Sequence, residues 1–129
     1  MNRIVIAAFL SISTIAFVGC QQKPALLSVH GKSVSDWVTA TKDRDPRVRK
    51  RAVAALQSVG CADLAAIPAL AVALQDQDAS VRDAAALALL NIGPDATGAA
   101  EALRNAQSDK NSPVRIHAAA ALARIQSRS

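Results

Sequence analysis

Few side chains in this 129-residue sequence could carry out acid–base, nucleophilic or metal chemistry. The acids are nine aspartates and one glutamate, Glu101, and most of the aspartates fall at predicted turns or helix starts, where capping accounts for them. His30 and His117 each lack a second histidine four residues away, the spacing that puts two metal ligands on one helix face. We therefore predict no catalytic residue, no metal site and no cofactor.

The tripeptide Gly31-Lys32-Ser33 matches the end of a phosphate-binding loop. Such a loop needs a glycine five residues before Gly31, where this chain has Leu26. It also needs a preceding strand, and the sequence before Gly31 has no strand pattern. Ser33 followed by Asp36 is instead typical of a capping box, so we expect a helix to begin at this point.

The elements that must position any functional group come from three segments that repeat every 33 residues. They begin at Asp45, Asp78 and Asn111 and read DPRVRKRAVAALQSVG, DASVRDAAALALLNIG and NSPVRIHAAAALARIQ. A repeat of this length is typical of a stack of like units. The three first residues are suited to be N-caps, whose side-chain oxygens accept hydrogen bonds from the first amides of a helix.

Each repeated segment carries one apolar stripe at steps of three and four residues, which predicts a helix. The stripe positions are Val48, Ala52, Leu56 and Val59, then Val81, Ala85, Leu89 and Ile92, then Val114, Ala118, Leu122 and Ile125. Gly60 and Gly93 follow the first two helices as C′ residues would. A weaker helical pattern precedes each segment, so each unit should be a helical hairpin. The apolar positions of this weaker pattern are Val34, Trp37 and Val38, then Ile67, Leu70 and Leu74, then Ala100 and Leu103.

These patterns predict an all-α fold, an α-solenoid of three helical-hairpin repeats with a period of 33 residues. The repeat domain is expected to span 33–129, with units at about 33–60, 61–93 and 94–126. Abundant alanine and only three aromatic residues favour closely packed helices over strands. The formal charge is only +5 and there is no tyrosine, so we expect no binding to nucleic acid, which usually needs a stronger basic patch and aromatic stacking.

Residues 1–19 have the layout of an export signal, with one basic residue, Arg3, before an apolar run from Ile4 to Val18. That run is about 15 residues long and a membrane-spanning helix needs about 20, which favours a cleaved signal over a retained anchor. The segment Phe17-Val18-Gly19-Cys20 resembles the lipobox of bacterial lipoproteins, with Phe17 in place of the usual leucine. The resemblance implies a lipid on Cys20; ordinary secretion is the alternative.

Residues 20–32 are expected to tether the domain to the membrane, so the protein would lie in the bacterial cell envelope and face the periplasm. Gln21 follows the lipid cysteine where many inner-membrane lipoproteins have aspartate, which favours the outer membrane. Cys61 is then the one remaining cysteine. It is expected to be a small residue of a turn; the alternatives are a disulfide between chains and a reactive thiol.

The repeated segments resemble short HEAT-type repeats, the kind also found in phycobilisome lyase-like proteins. The stretch GKSVSDW is similar to the opening of HEAT-repeat proteins common in planctomycete-like bacteria, and the resemblance covers residues 31–129. It implies a ladder between units, formed by the turn aspartates and helix arginines Asp43, Asp76, Asp109, Arg49, Arg82 and Arg115. It also brings in a bilin lyase-like enzyme as an alternative function.

Exposed positions of the repeated helices are the candidate partner-binding residues, on what we expect to be the concave face of the stack. They are Lys50, Arg51, Asp83, Asn91, Ile116, His117 and Arg124. Their mixed polarity suits contact with another envelope protein. We predict a non-enzymatic, lipid-anchored interaction scaffold. The basic run from Arg44 to Arg51 supports a second hypothesis, binding of anionic lipid or polymer.

Overall fold

The computed structural model describes residues 30–60 and 62–128, and the regular secondary structure of these residues is helical. The α-helices are α1 Val34–Ala40, α2 Pro46–Val59, α3 Ala66–Ala73, α4 Ala79–Ile92, α5 Ala100–Ala106 and α6 Ser112–Gln126. A 3-10 segment, Gly93–Ala99, leads into α5. The predicted all-α fold is confirmed.

Consecutive helices pair as hairpins, α1 with α2, α3 with α4 and α5 with α6, and the hairpins stack into a short solenoid. Helix α4 packs against both α2 and α6, so the middle hairpin is covered on two sides. The largest fully buried side chains are Leu56, Leu70, Leu89, Leu103, Val53, Val81 and Val114. Alanines fill most of the remaining core positions, and their small side chains let the helix axes approach closely.

Helix α1 begins with the predicted capping box. Ser33 Oγ accepts from the Asp36 amide at 3.2 Å, and Asp36 Oδ2 accepts from the Ser33 amide at 2.9 Å. The Lys32 ammonium lies 4.9 Å above the centre of the Trp37 ring, whose side chain is buried in the core. The Gly31-Lys32-Ser33 sequence therefore forms a helix start.

The N-caps predicted for the repeated helices are present in two of the three units. Asp45 Oδ1 accepts from the Arg47 amide at 2.8 Å, and Asp78 Oδ1 accepts from two amides of α4 at 2.8 and 3.2 Å. Asn111 has the same extended backbone but makes no side-chain cap bond, so the prediction is wrong there. The second residue of the helix supplies a cap-binding amide in α2 and α4, whereas in α6 this residue is Pro113, which has no amide proton.

The predicted apolar stripe is buried except at its first residue. Val81 and Val114 are fully buried, but Val48 is 36% exposed. Each of the two buried valines lies on a helix that packs against the preceding hairpin, and no hairpin precedes α2 among the described residues. The prediction of a core position is therefore wrong for Val48, because a stack leaves its end unit uncovered.

The two glycines at helix ends have different roles. Gly93 has a φ of +75°, a conformation that glycine tolerates, and it ends α4 as expected. A C′ glycine usually has a positive φ, but Gly60 keeps right-handed helical angles and so is not this kind of cap. A Cβ at Gly60 would overlap the end of the Ile92 side chain of α4, so a larger residue at this position would require Ile92 to shift.

Candidate interaction surfaces

The most regular side-chain arrangement in the structure is a ladder of ion pairs between hairpins. Arg49 of α2 donates from Nε and Nη2 to the two carboxylate oxygens of Asp76 at 2.7 and 2.8 Å. One unit later Arg82 binds Asp109 in the same way at 2.7 and 3.2 Å. The four side chains are only 8–14% exposed. Each of these ion pairs is one rung of the ladder and joins two neighbouring hairpins. Because a bidentate pair has a narrow geometry, each rung sets the register of the two hairpins.

Backbone groups of the turns hold each rung in place. Arg49 Nη1 donates to the Asp43 carbonyl and Arg82 Nη1 to the Asp76 carbonyl, both at 2.8 Å. Asp76 Oδ1 also accepts the amide two residues further on at 2.9 Å. The remaining two residues expected in the ladder, Asp43 and Arg115, lie at opposite ends of the stack, and neither has a charged partner within the described residues.

The ladder keeps its carboxylates ionised. Burial raises the pKa of Asp76, but the hydrogen bonds from Arg49 and from a backbone amide outweigh burial and hold this pKa below its ordinary value. Burial likewise raises the pKa of Asp109, and Arg82 together with another amide lowers it by more. The two carboxylates therefore bind protons less readily in the folded chain than in the unfolded chain.

Acid should remove this contribution to stability. A carboxylate with a lowered pKa stabilises the fold above its unfolded pKa, here 3.8, and the stabilisation is lost as the pH falls through the folded pKa. We expect the difference in unfolding free energy between the wild type and Asp76→Asn to be full at neutral pH and to shrink below about pH 4. Urea unfolding followed by circular dichroism at a series of pH values measures it, and a difference that stays constant down to about pH 2 would contradict the expectation.

The second-helix face, defined as the seven candidate partner-binding residues, is partly used inside the stack. His117 Nδ1 lies 2.7 Å from Asp83 Oδ1, which links α6 to α4. Arg124 Nη1 donates to the Leu90 carbonyl at 2.7 Å, and its guanidinium lies close to Gly93. Asp83, His117 and Arg124 thus join neighbouring hairpins.

The other four residues of this face are exposed. Lys50 and Arg51 lie on α2, Asn91 on α4 and Ile116 on α6, and Ile116 is 62% exposed. The available part of the second-helix face therefore offers two cations, an amide and a large apolar side chain. These groups suit a protein surface that combines acidic and apolar residues.

The basic run from Arg44 to Arg51 is divided between structure and surface. Arg49 is drawn into the ladder, whereas Arg44, Arg47, Lys50 and Arg51 are exposed. None of these four forms an ion pair with a described residue. Four of the five cations are thus available to an anionic partner.

The turns beside the first rung border an open groove of about 610 Å³, to which Thr41, Lys42, Gln75 and Gln77 contribute. Its side chains can donate and accept hydrogen bonds.

Within residues 30–60 and 62–128, no group of three or more His, Cys, Asp or Glu side chains could hold a metal ion. Among these same residues, no helix combines the length and the apolar character needed to cross a membrane.

Stacked hairpins joined by a buried ladder give the chain a pattern that can be compared with known families. A family model described as HEAT repeats matches residues 34–123, from α1 into α6 and over more than half of the chain. The chain belongs to the HEAT-repeat family. HEAT repeats generally mediate protein–protein interaction and are typically non-catalytic scaffolds. No curated protein matches the chain.

Sequence reasoning missed two contacts between the HEAT repeats. Asp83 and His117 were each expected to face a partner, although they are 34 residues apart, which is close to the repeat period and was a signal that they lie on adjacent helices. The bond from Arg124 ends on the Leu90 backbone carbonyl. The spacing of side chains could not predict this acceptor, since every residue has a backbone carbonyl.

Several predictions for this HEAT-repeat protein concern residues outside those that the structure describes. They are the export signal at 1–19, the lipid site at Cys20, most of the tether at 20–32, and the role of Cys61. These stay predictions.

Proposed function

We propose that this HEAT-repeat protein is a non-enzymatic scaffold, held in the bacterial cell envelope by a lipid on Cys20, that binds another envelope protein. The observation that carries the binding role is the exposed part of the second-helix face, Lys50, Arg51, Asn91 and Ile116. These side chains project from helices whose register the ladder sets, so the surface is preorganised. The Phe17 to Cys20 sequence supports the anchor.

Site-specific photo-crosslinking in membranes of the native host tests this proposal. A photoreactive amino acid at position 116 is expected to form a discrete protein adduct, because Ile116 is the large apolar group of the face. The matched position is Val72 on α3, which is 68% exposed but lies outside the face, and it should not give this adduct.

Two further arms separate the parts of the proposal. Arg51→Glu should reduce the adduct at position 116 severalfold, whereas Arg104→Glu, the same change at an exposed site on α5, should leave it unchanged. Incorporation of a labelled fatty acid should be seen in the wild type and lost in Cys20→Ala if the lipid is attached to Cys20. The binding face is wrong if position 72 alone gives the adduct, and the lipid site is wrong if the wild type and Cys20→Ala incorporate the labelled fatty acid equally.

The exposed cations Arg44, Arg47, Lys50 and Arg51 support a second candidate function, binding of anionic lipid or polymer. Such binding would weaken steeply with ionic strength, whereas a protein contact that also buries the apolar Ile116 side chain would weaken less. The bilin lyase-like alternative receives no support, since Trp37, the one aromatic side chain among the described residues, is buried.

A further inference from the structure

The two ends of the stack carry an aspartate and an arginine of the ladder, Asp43 and Arg115, that have no ion-pair partner among the described residues. At the first end, Asp43 Oδ1 accepts the amide of Asp45 at 2.8 Å. Asp76 and Asp109 make the equivalent bond at 2.9 and 2.8 Å, and both also bind an arginine of the preceding unit. Asp43 therefore has the turn geometry of a rung carboxylate, but no described arginine forms an ion pair with its carboxylate.

The unpaired arginine, Arg115, lies on α6 of the last described hairpin. Arg115 Nη1 donates to the Asp109 carbonyl at 2.8 Å, just as Arg49 and Arg82 bind the equivalent carbonyls. In the two formed rungs the rest of the guanidinium binds the aspartate of the following unit. Arg115 is exposed, and within the described residues no carboxylate pairs with its guanidinium.

The apolar positions at the two ends show the same pattern. Val48 is 36% exposed, although Val81 is fully buried at the equivalent place in the middle unit. Ala119 of α6 is exposed, although its equivalents Val53 and Ala86 are fully buried. Each end therefore presents a surface that packing between units closes elsewhere in the stack.

We propose that a second copy of this chain stacks head to tail on the first, with Arg115 of one copy bound to Asp43 of the next. The contact repeats the interface between the chain's own hairpins, which is why the occupant is another copy rather than an unrelated protein. Two different surfaces meet, so the contact is heterologous and can continue beyond two copies. The proposal does not depend on the proposed function, which uses other residues.

Charge reversal tests the pairing. Full-length chains carrying two different tags are co-captured in detergent, first for the wild type and then for Asp43→Arg and Arg115→Asp. Each variant should co-capture itself at least about tenfold less than the wild type, because like charges then meet at the junction. A mixture of the two variants should recover the wild-type level, since the introduced arginine of one variant then meets the introduced aspartate of the other.

Control variants reverse the same charges away from the two ends of the ladder. Glu101→Arg and Arg104→Asp change exposed residues of α5 and should co-capture like the wild type. Association through the apolar amino-terminal residues would be shared by every variant, so it cannot produce the recovery. The proposal is overturned if the single variants co-capture themselves like the wild type, or if their mixture fails to recover.

Discussion

Arg82→Ala is expected to lower the free energy of unfolding by about 3 kcal/mol, because breaking a buried ion pair leaves its partner uncompensated. Arg82 is the one charged side chain in the core of the described residues and is only 6% exposed. Its removal deprives the Asp109 carboxylate of both guanidinium bonds and leaves the carbonyls of Asp76 and Gln77 without their donor. Urea unfolding of the two proteins, followed by circular dichroism, measures the loss.

The repeat supplies a matched control for this prediction. Arg115 occupies the equivalent place and binds the equivalent carbonyl, but it is exposed and has no carboxylate in the described residues. Arg115→Ala should therefore cost less than about 1 kcal/mol under conditions where the chain is monomeric. Equal losses for the two variants would show that the ladder does not stabilise the stack through buried pairing.

Leu89→Ala is expected to lower the free energy of unfolding by about 3 kcal/mol, within the range of about 2 to 5 kcal/mol for buried leucines. Leu89 is fully buried on α4, the helix that packs against both α2 and α6. A cavity at this place removes contacts on both sides of the middle hairpin. Because small domains have only about 5 to 15 kcal/mol of stability, the variant should unfold at a much lower urea concentration.

The control lies two residues away on the same helix. Leu87 is 38% exposed, so Leu87→Ala removes the same atoms with little cavity and should cost less than about 1 kcal/mol. If Leu87→Ala destabilised the chain as much as Leu89→Ala, burial of the side chain would not determine the loss, and helix propensity could not explain it because alanine favours a helix at least as much as leucine.

The ladder connects the stability of this HEAT-repeat protein to its surfaces. Each rung sets how one hairpin sits on the next, and so it sets where Lys50, Arg51, Asn91 and Ile116 lie relative to one another. The same rung chemistry, left open at Asp43 and Arg115, is the basis of the proposed association between copies. One repeated structural motif therefore shapes both the candidate binding face and the candidate stacking contact.

Much of the fold could be predicted from the repeat. The three apolar stripes and the capping residues Ser33, Asp45 and Asp78 predicted helices and helix starts that the structure contains. These features depend on contacts within a few residues, so their spacing in the chain is enough. The cap at Asn111 fails for a reason that is also local, because Pro113 has no amide proton to donate to it.

The candidate binding face was less predictable. Exposed positions on a helix can be found from periodicity, but periodicity does not tell whether a polar side chain bonds to the next helix or faces a partner. Asp83, His117 and Arg124 bond across hairpins, whereas Ile116 remains exposed. The difference depends on distances between helices.

The sequence by itself determined that the chain is helical, that its units recur every 33 residues, and which residues of a unit could form a stripe or a rung. Only the tertiary structure decided which of the equivalent residues in the three units are buried in the core or form an ion pair. Within the residues that the structure describes, Val81 is buried and Val48 is not, and Arg82 pairs with a carboxylate while Arg115 does not, although their local sequences match. The physical reason is that burial and pairing require a neighbouring hairpin, and equivalent residues in the middle and at the ends of a stack have different neighbours.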